Sequence, residues 1–371
     1  MTRSEDERFM SMALNLAKRG QYTVHPNPAV GCVVVKDNEI VGQGWHERAG
    51  EAHAEVRALA DAKERTQQAT LYVTLEPCSH TGRTPPCTDA VIRSGISRVV
   101  VACQDPNPLV QGQGLRSLEE AGIEVVTGIC TEAATHMNRG FFKRITSGIP
   151  FVILKIAASL DGRIAMPNGE SRWITCEESR CDVHRLRALS SAVLTGIGTV
   201  QKDDPAFTVR HFETSRQPDR VVLDSQMSIS HTAKILDDSA KVFVFTIANP
   251  SRYKQLNCIS NLEIISSYNK ENRVELVEML KECGKRQMNT ILVEAGPSLA
   301  GNFLKQGLVD ELVLYLAPSF LGNDALAMFN LPQITELSEK IQMSITHVES
   351  LGSDIKIVLT PETCRSFIYS S

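Results

Sequence analysis

Long apolar runs are missing from this sequence. None approaches the roughly 20 residues that a membrane-crossing helix needs, so no membrane partner is expected. An excess of positive charge is missing too. The 39 Lys and Arg stand against 43 Asp and Glu, for a formal net charge of −4, whereas a surface made to hold nucleic acid is normally basic. No nucleic-acid partner is therefore expected, although a local basic pocket for a phosphorylated metabolite is compatible with the balance. No secretory leader is expected, because Met1-Thr2-Arg3-Ser4-Glu5-Asp6-Glu7-Arg8 is too charged for a secretory signal. There is no internal repeat and no low-complexity tract. The ten cysteines show no disulfide-scaffold spacing and read as reduced thiols. The expected compartment is the cytoplasm.

What is present is a globular composition, with 42% hydrophobic and 22% charged residues. At 371 residues the chain has the length of two domains. Gly and Pro punctuate Ser147-Gly148-Ile149-Pro150, which predicts domains over residues 1–147 and 150–363. In the first, Ser4 and Glu7 fit a capping box that opens a helix, with Gly20 as its stop. Strands are predicted over 29–35, 39–44, 71–75, 98–103 and 123–126, with helices over 54–65, 88–94 and 114–121. The second half alternates again, with strands over 151–158, 192–195, 220–223, 241–246, 290–294 and 311–316. Helices over 273–283 and 298–306 lie among them. Strands alternating with helices at this pace predict layered α/β domains.

The first half carries a metal-binding pattern: His53-Ala54-Glu55, then Glu76-Pro77-Cys78, then Cys87. Catalytic zinc takes three protein ligands and keeps a fourth position for water, and His53, Cys78 and Cys87 supply three. One zinc per chain is expected. A carboxylate outside the ligand set is needed to carry protons, and Glu55 is the candidate. Residues two apart on a regular helix point about 200° apart, so His53 is predicted at the irregular helix entry. His80 is the one residue that could complete a closed, structural site.

His-x-Glu followed by Pro-Cys and a second Cys resembles the zinc deaminase signature. Eight residues separate Cys78 from Cys87, where nucleobase deaminases usually have two. That stretched segment, Pro77-Cys78-Ser79-His80-Thr81-Gly82-Arg83-Thr84-Pro85-Pro86-Cys87, resembles the bifunctional riboflavin-biosynthesis deaminase–reductase family. So do Asn27-Pro28-Ala29-Val30-Gly31, the run from Gly44 to Gly50, and Asp105-Pro106-Asn107-Pro108. The resemblance implies zinc-hydroxide hydrolytic deamination of a diaminopyrimidinone bearing a ribosylamino 5′-phosphate, with Glu55 moving the protons. It also implies substrate contacts from Asn27, His46, Arg83, Asp105 and Asn107. Asn and Asp suit the pyrimidine edge, and His46 and Arg83 suit the phosphate.

Residues alone say less about the second half. Small residues at Glu294-Ala295-Gly296-Pro297-Ser298, where a strand meets a helix, suit an anion at the helix start, and Ser298 suits an N-cap. Gly196-Ile197-Gly198 is no dinucleotide fingerprint, because residue 201 is Gln. The run from Lys155 to Ala165, Gly169 to Ile174, Arg185 to Ala188, Gly198-Thr199-Val200 with Asp203-Asp204-Pro205, and Glu294-Ala295-Gly296 resemble the same family's reductase domain. The implied fold is an N-terminal cytidine-deaminase-like α/β/α domain and a C-terminal dihydrofolate-reductase-like α/β domain. The implied cofactor is NADPH, and the implied reaction reduces the ribosyl group of the deaminated product to ribityl. By motif, Ala157, Trp173, Thr199, Asp203, Ser225 and the turn Gly296, Pro297, Ser298, Leu299, Ala300, Gly301 and Asn302 line the cofactor. Ser171, Arg187, Arg210 and Glu294 hold the substrate, and Lys155, Asp203 and Glu294 are the ionisable groups nearest the chemistry. A homodimer or larger homo-oligomer is expected. The rival readings are a transfer-RNA deaminase with an accessory domain and a non-catalytic protein holding structural zinc.

Overall fold

The computed structural model describes residues 2–80, 85–108, 110–249, 256, 258–267 and 273–362. The chain divides into two compact units, Met1–Gly148 and Ile149–Ser371. Both are layered α/β structures, as the alternation of elements predicts. Among the described residues no helix is long and apolar enough to cross a membrane.

The first unit opens with α1 (Arg3–Ala17), whose capping box is Thr2 with Glu5 rather than Ser4 with Glu7. The Thr2 N–H donates to Glu5 Oε2 at 2.7 Å, and the box lies two residues earlier because the helix itself starts earlier. There follow β1 (Gly31–Lys36), β2 (Glu39–Trp45), α2 (Ala54–Ala62), β3 (Thr70–Val73), α3 (Cys87–Arg93), β4 (Arg98–Val101), α4 (Gln113–Glu120), β5 (Glu124–Thr127), α5 (Thr131–Met137) and α6 (Arg139–Ser147). The sheet order is β2-β1-β3-β4-β5, with β1 antiparallel to both neighbours and β3, β4 and β5 parallel. Cys32 to Val35 on β1 are all buried, because helices cover both faces of the sheet. α1 lies against Gly31 on one face, and α2 lies against Gly42 and Gly44 on the other.

The close approach of α2 is a matter of glycine. A Cβ on Gly44 would fall 2.6 Å from both the Ala54 carbonyl oxygen and the Ala58 nitrogen. Gly44→Ala should therefore push α2, and Glu55 with it, off the sheet, at a cost of about 1–3 kcal/mol for overpacking. A denaturant titration followed on the first unit's transition checks this. A midpoint equal to the wild type's would show that α2 is not held at van der Waals contact.

The second unit contains β6 (Phe151–Ser159), β7 (Arg163–Ala165), α7 (Glu177–Leu189), β8 (Ala192–Gly196), α8 (Ile197–Asp203), β9 (Asp219–Leu223), β10 (Val242–Thr246), β11 (Leu262–Ser266), α9 (Leu276–Lys285), β12 (Thr290–Val293), α10 (Pro297–Lys305), β13 (Glu311–Ala317), β14 (Leu326–Ala327), β15 (Met343–Leu351) and β16 (Asp354–Pro361). The nine-stranded sheet runs β11-β10-β9-β8-β12-β6-β13-β16-β15. It is parallel from β11 through β13 and antiparallel across β16 and β15. Parallel strands covered on both faces need apolar residues on both, and Phe151-Val152-Ile153-Leu154 is such a run. Alternation then sorts the side chains. Val152, Leu154, Ile291 and Val293 join Leu280 and Phe303 of α9 and α10 in one core. Phe151, Ile153, Val193 and Leu292 join Val183 of α7 in the other. Lys155 and Ala157 on β6 and Glu294 just after β12, reached by steps of two, continue the α7 face toward the carboxyl ends of the strands.

Candidate active sites

In the first unit three side chains converge beyond the end of β3. His53 is the N-cap of α2, with φ −72° and ψ 166°, the irregular entry that its spacing from Glu55 requires. Cys78 follows β3, and Cys87 is the first residue of α3. His53 Nδ1 lies 3.2 Å from Cys87 Sγ and 3.6 Å from Cys78 Sγ, and all three donor atoms fall within 4.8 Å of one another. Nitrogen at about 2.0 Å and sulfur at about 2.3 Å from a tetrahedral zinc sit about 3.5 Å apart, so the donor set fits zinc. The Cys78 thiol is drawn down to about 4, first by the Cys87 thiol and against burial, with further help from His53. Cys87 is pushed up, first by Cys78 and then by burial. One proton is thus divided unequally between two thiols, and a divalent cation between them is what lets both ionise. His80 is exposed, and among the described residues it does not join this group, which leaves three protein ligands and not the four of a closed structural site.

Glu55 lies in the first turn of α2 and is 3% exposed. Burial, chiefly, lifts its carboxyl to about 7, which lets it take and give a proton near neutrality. His46 is also buried. Its Nδ1 faces the Ala52 carbonyl oxygen at 3.4 Å, and its Nε2 lies 3.0 Å from Asn27 Nδ2. Nδ1 is therefore the protonated nitrogen, and Nε2 accepts from the Asn27 amide. Both ring nitrogens thus have partners inside the protein, and burial pulls the His46 pKa down. Asp105 and Asn107 lie on the loop after β4, where the Asn107 N–H donates to Asp105 Oδ1 at 2.8 Å. Burial raises the Asp105 pKa, with smaller contributions from the charges of Glu76 and Cys78. Arg83 lies outside the described residues.

In the second unit a cleft of about 690 Å³ opens beside β6 and α7, within the size range of ligand sites. It brings together Lys155, Ala157, Ser171, Trp173, Arg187, Asp203 and Arg210 of the sequence-predicted residues. Glu294 is buried and does not itself line the cleft, but it holds a residue that does: Arg187 Nε donates to its Oε1 at 2.6 Å and Nη2 to its Oε2 at 3.0 Å. Lys155 Nζ stands 3.7 Å from Glu294 Oε2. Burial alone would raise the Glu294 pKa, but the charges of Arg187 and then Lys155 outweigh it and hold the group at about 2. Burial lowers the Lys155 pKa, and Glu294 works against that. Trp173 is 71% exposed with the Arg180 guanidinium 4.7 Å above its ring, so it is a surface plate and not core. The cationic walls and the open indole fit the phosphates and rings of a dinucleotide.

Thr199, Ser225 and the turn from Gly296 to Asn302 do not line this cleft. Ser225 Oγ accepts from the Val274 N–H at 3.3 Å. Gly296, not Ser298, is the N-cap of α10, with Pro297 in its first turn. Ala300 and Gly301 are buried, and a Cβ on Gly301 would meet the Asn330 carbonyl oxygen at 2.3 Å. Pro297, Ser298, Leu299 and Asn302 are left at least partly open. Sequence reasoning missed His184 and Tyr315, which also line the cleft. A signal for His184 was available: Arg180, His184 and Arg187 recur at i, i+4 and i+7, one face of a helix.

Residues 3–103 match the family model of the cytidine and deoxycytidylate deaminase zinc-binding region, and residues 150–357 match that of the RibD C-terminal domain. The chain is 47% identical over 363 residues to the riboflavin biosynthesis protein RibD of Escherichia coli, covering 95% of this chain and 98% of that one. It is 45% identical over 359 residues to the Aquifex aeolicus protein of the same name, covering 96% and 99%. The solved structure of Acinetobacter baumannii RibD superposes with a TM-score of 0.90 at 44% identity, covering 97% and 99% of the two chains. A Thermotoga maritima diaminohydroxyphosphoribosylaminopyrimidine deaminase/5-amino-6-(5-phosphoribosylamino)uracil reductase gives 0.87 at 36% identity, with the same coverage. With family models over both halves and these identities over nearly the whole length, the chain belongs to the RibD family of riboflavin biosynthesis proteins.

Proposed function

We propose that residues 1–147 deaminate 2,5-diamino-6-(5-phosphoribosylamino)pyrimidin-4-one and that residues 150–363 reduce the ribosyl group of the product, 5-amino-6-(5-phosphoribosylamino)uracil, to ribityl. The observation that carries the reading is the pairing of an open His53, Cys78 and Cys87 donor set with a buried carboxyl, Glu55, at the helix entry. His53, Cys78 and Cys87 would hold zinc, which would lower the pKa of a water. Glu55 carries one proton of the water to a ring nitrogen and the other to the amino group that leaves as ammonia. Asn27, held by His46, and Asp105 with Asn107 read the pyrimidine edge, and Arg83 meets the phosphate.

In the reductase, NADPH supplies hydride to C1′. Trp173, Ala157, Thr199, Asp203, Ser225 and the turn after β12 hold the cofactor, and Ser171, Arg187, Arg210 and Glu294 hold the substrate. The open-chain imine needs a proton as hydride arrives, and Lys155 is the donor this geometry favours, since burial makes its ammonium readier to give one up. The same reading makes the protein a cytoplasmic enzyme of small phosphorylated pyrimidines, without nucleic-acid partners, and a homodimer or larger homo-oligomer.

The test follows ammonia release and NADPH consumption together, anaerobically, with zinc-loaded protein and the diaminopyrimidinone. Ammonia with matching NADPH loss is the expected result. A chelator should stop both, and added deaminated intermediate should restore the NADPH loss alone. No ammonia from the loaded protein would overturn the assignment.

A further inference from the structure

We propose that Glu76, which the mechanism above does not use, is the positioning residue that holds the substrate-reading loop of the deaminase against the metal site. The inference rests on that reading of the first unit. Glu76 is 5% exposed and sits between the end of β3 and Cys78. Its own N–H donates to the Cys103 carbonyl oxygen at 3.0 Å, which ties it to the end of β4. Its carboxylate accepts three backbone N–H bonds: Oε2 from Asp105 at 3.1 Å and from Gly112 at 3.0 Å, and Oε1 from Gly114 at 3.0 Å.

Those three donors bracket the loop, one at its start and two at its finish, with Asn107 between them. Hydrogen bonds to an ionised acceptor are the stronger kind. Two of the donors belong to the entry of α4, where a carboxylate is also favoured by the helix dipole. A Cβ on Gly114 would lie 2.0 Å from the Pro77 carbonyl oxygen, so α4 packs directly on the segment that carries Cys78. One short stretch, Glu76-Pro77-Cys78, thus sets both a zinc donor and the loop that reads the ring, and it fixes the distance between them.

Glu76→Gln replaces one accepting oxygen with an amide NH₂ that cannot accept, so part of the loop loses its anchor. KM for the diaminopyrimidinone should rise about tenfold or more, as expected for losing a hydrogen bond to a charged group, with kcat within about threefold. Zinc content and the reductase rate on deaminated intermediate should be unchanged. Combined with Asn107→Ala, the two losses should be less than additive, because both act through the same loop. Gly112→Ala strains a residue at φ +74° without adding a clash. It should show the same KM effect in weaker form, and it carries the test if Glu76→Gln does not fold. An unmoved KM, a loss of zinc, or strict additivity with Asn107→Ala would each overturn the inference. Absence of ammonia release from the wild type would overturn the deaminase reading and this inference with it. Release with an unmoved KM in the variants would overturn this inference alone.

Discussion

Glu55→Gln should lower deaminase turnover by about 10²–10⁴-fold, the range over which a positioned acid–base group acts, while the second unit goes on reducing added deaminated intermediate. The substitution keeps the size and one carbonyl oxygen but removes the proton exchange. It should not unfold the unit, because Glu55 is almost fully buried and an ionised carboxylate there is costly, whereas an amide carries no charge. Ammonia release measured with zinc bound to both proteins decides the matter. Turnover within tenfold of wild type would remove Glu55 from the proton path.

The largest effect on stability belongs to Glu294. Its carboxylate lies between Arg187 and Lys155, and the three side chains are 9%, 13% and 17% exposed. Glu294→Ala leaves two buried cations facing each other, and breaking a buried pair from one side typically costs about 3–5 kcal/mol. The pH dependence has a definite sign. A carboxyl near 4.3 in the unfolded chain and about 2 in the folded one stabilises the fold fully above the first value, and that stabilisation is lost as pH falls through the second. The gap in unfolding free energy between wild type and variant should therefore be full at pH 7 and shrink steadily below about pH 4. A gap that is small at pH 7, or one that does not narrow in acid, would mean that the ion pairs are not what holds Arg187 and Lys155 in place.

Much of both sites was legible before any coordinates, for reasons that differ between them. In the first unit the chemistry is local: His53 and Glu55 share one helix entry, and Cys78 and Cys87 flank one loop. Residue type and spacing alone therefore indicated a metal and a proton carrier. Glu76 was quoted within the metal pattern but given no role of its own, because it accepts backbone N–H bonds from residues 29 to 38 positions away, and no side-chain pattern marks such a partner. In the second unit the residues of the cleft come chiefly from β6, α7, α8, β13 and the loops after β7 and α8, and only the assembled fold brings them together. Family motifs picked out Arg187 and Glu294, but not the bidentate pair that they form.

Elements were lost where sequence signals are weakest. The hairpin of β15 and β16 closes the sheet beyond β13, yet its outer strand is largely exposed, with Ile345 at 62% and Val348 at 55%. A strand that buries neither face need not show the alternation from which strands are read. The first helix was found, but its cap was placed two residues late, since Thr2 with Glu5 and Ser4 with Glu7 fit the capping-box pattern equally well.

The pairing of β6 has a consequence for how the chain is made. Its two neighbours in the sheet are β12 and β13, and Phe151 meets its partner Thr290 only about 140 residues later in the sequence. At about 5–20 residues per second, roughly 7–30 s pass between the synthesis of this apolar strand and that of the first strand able to cover its edge. The first unit, contiguous and already complete, can fold during that wait. The ribosome therefore holds a finished deaminase joined to an unfinished reductase, and it is Phe151–Ser159 that chaperones would have to shield.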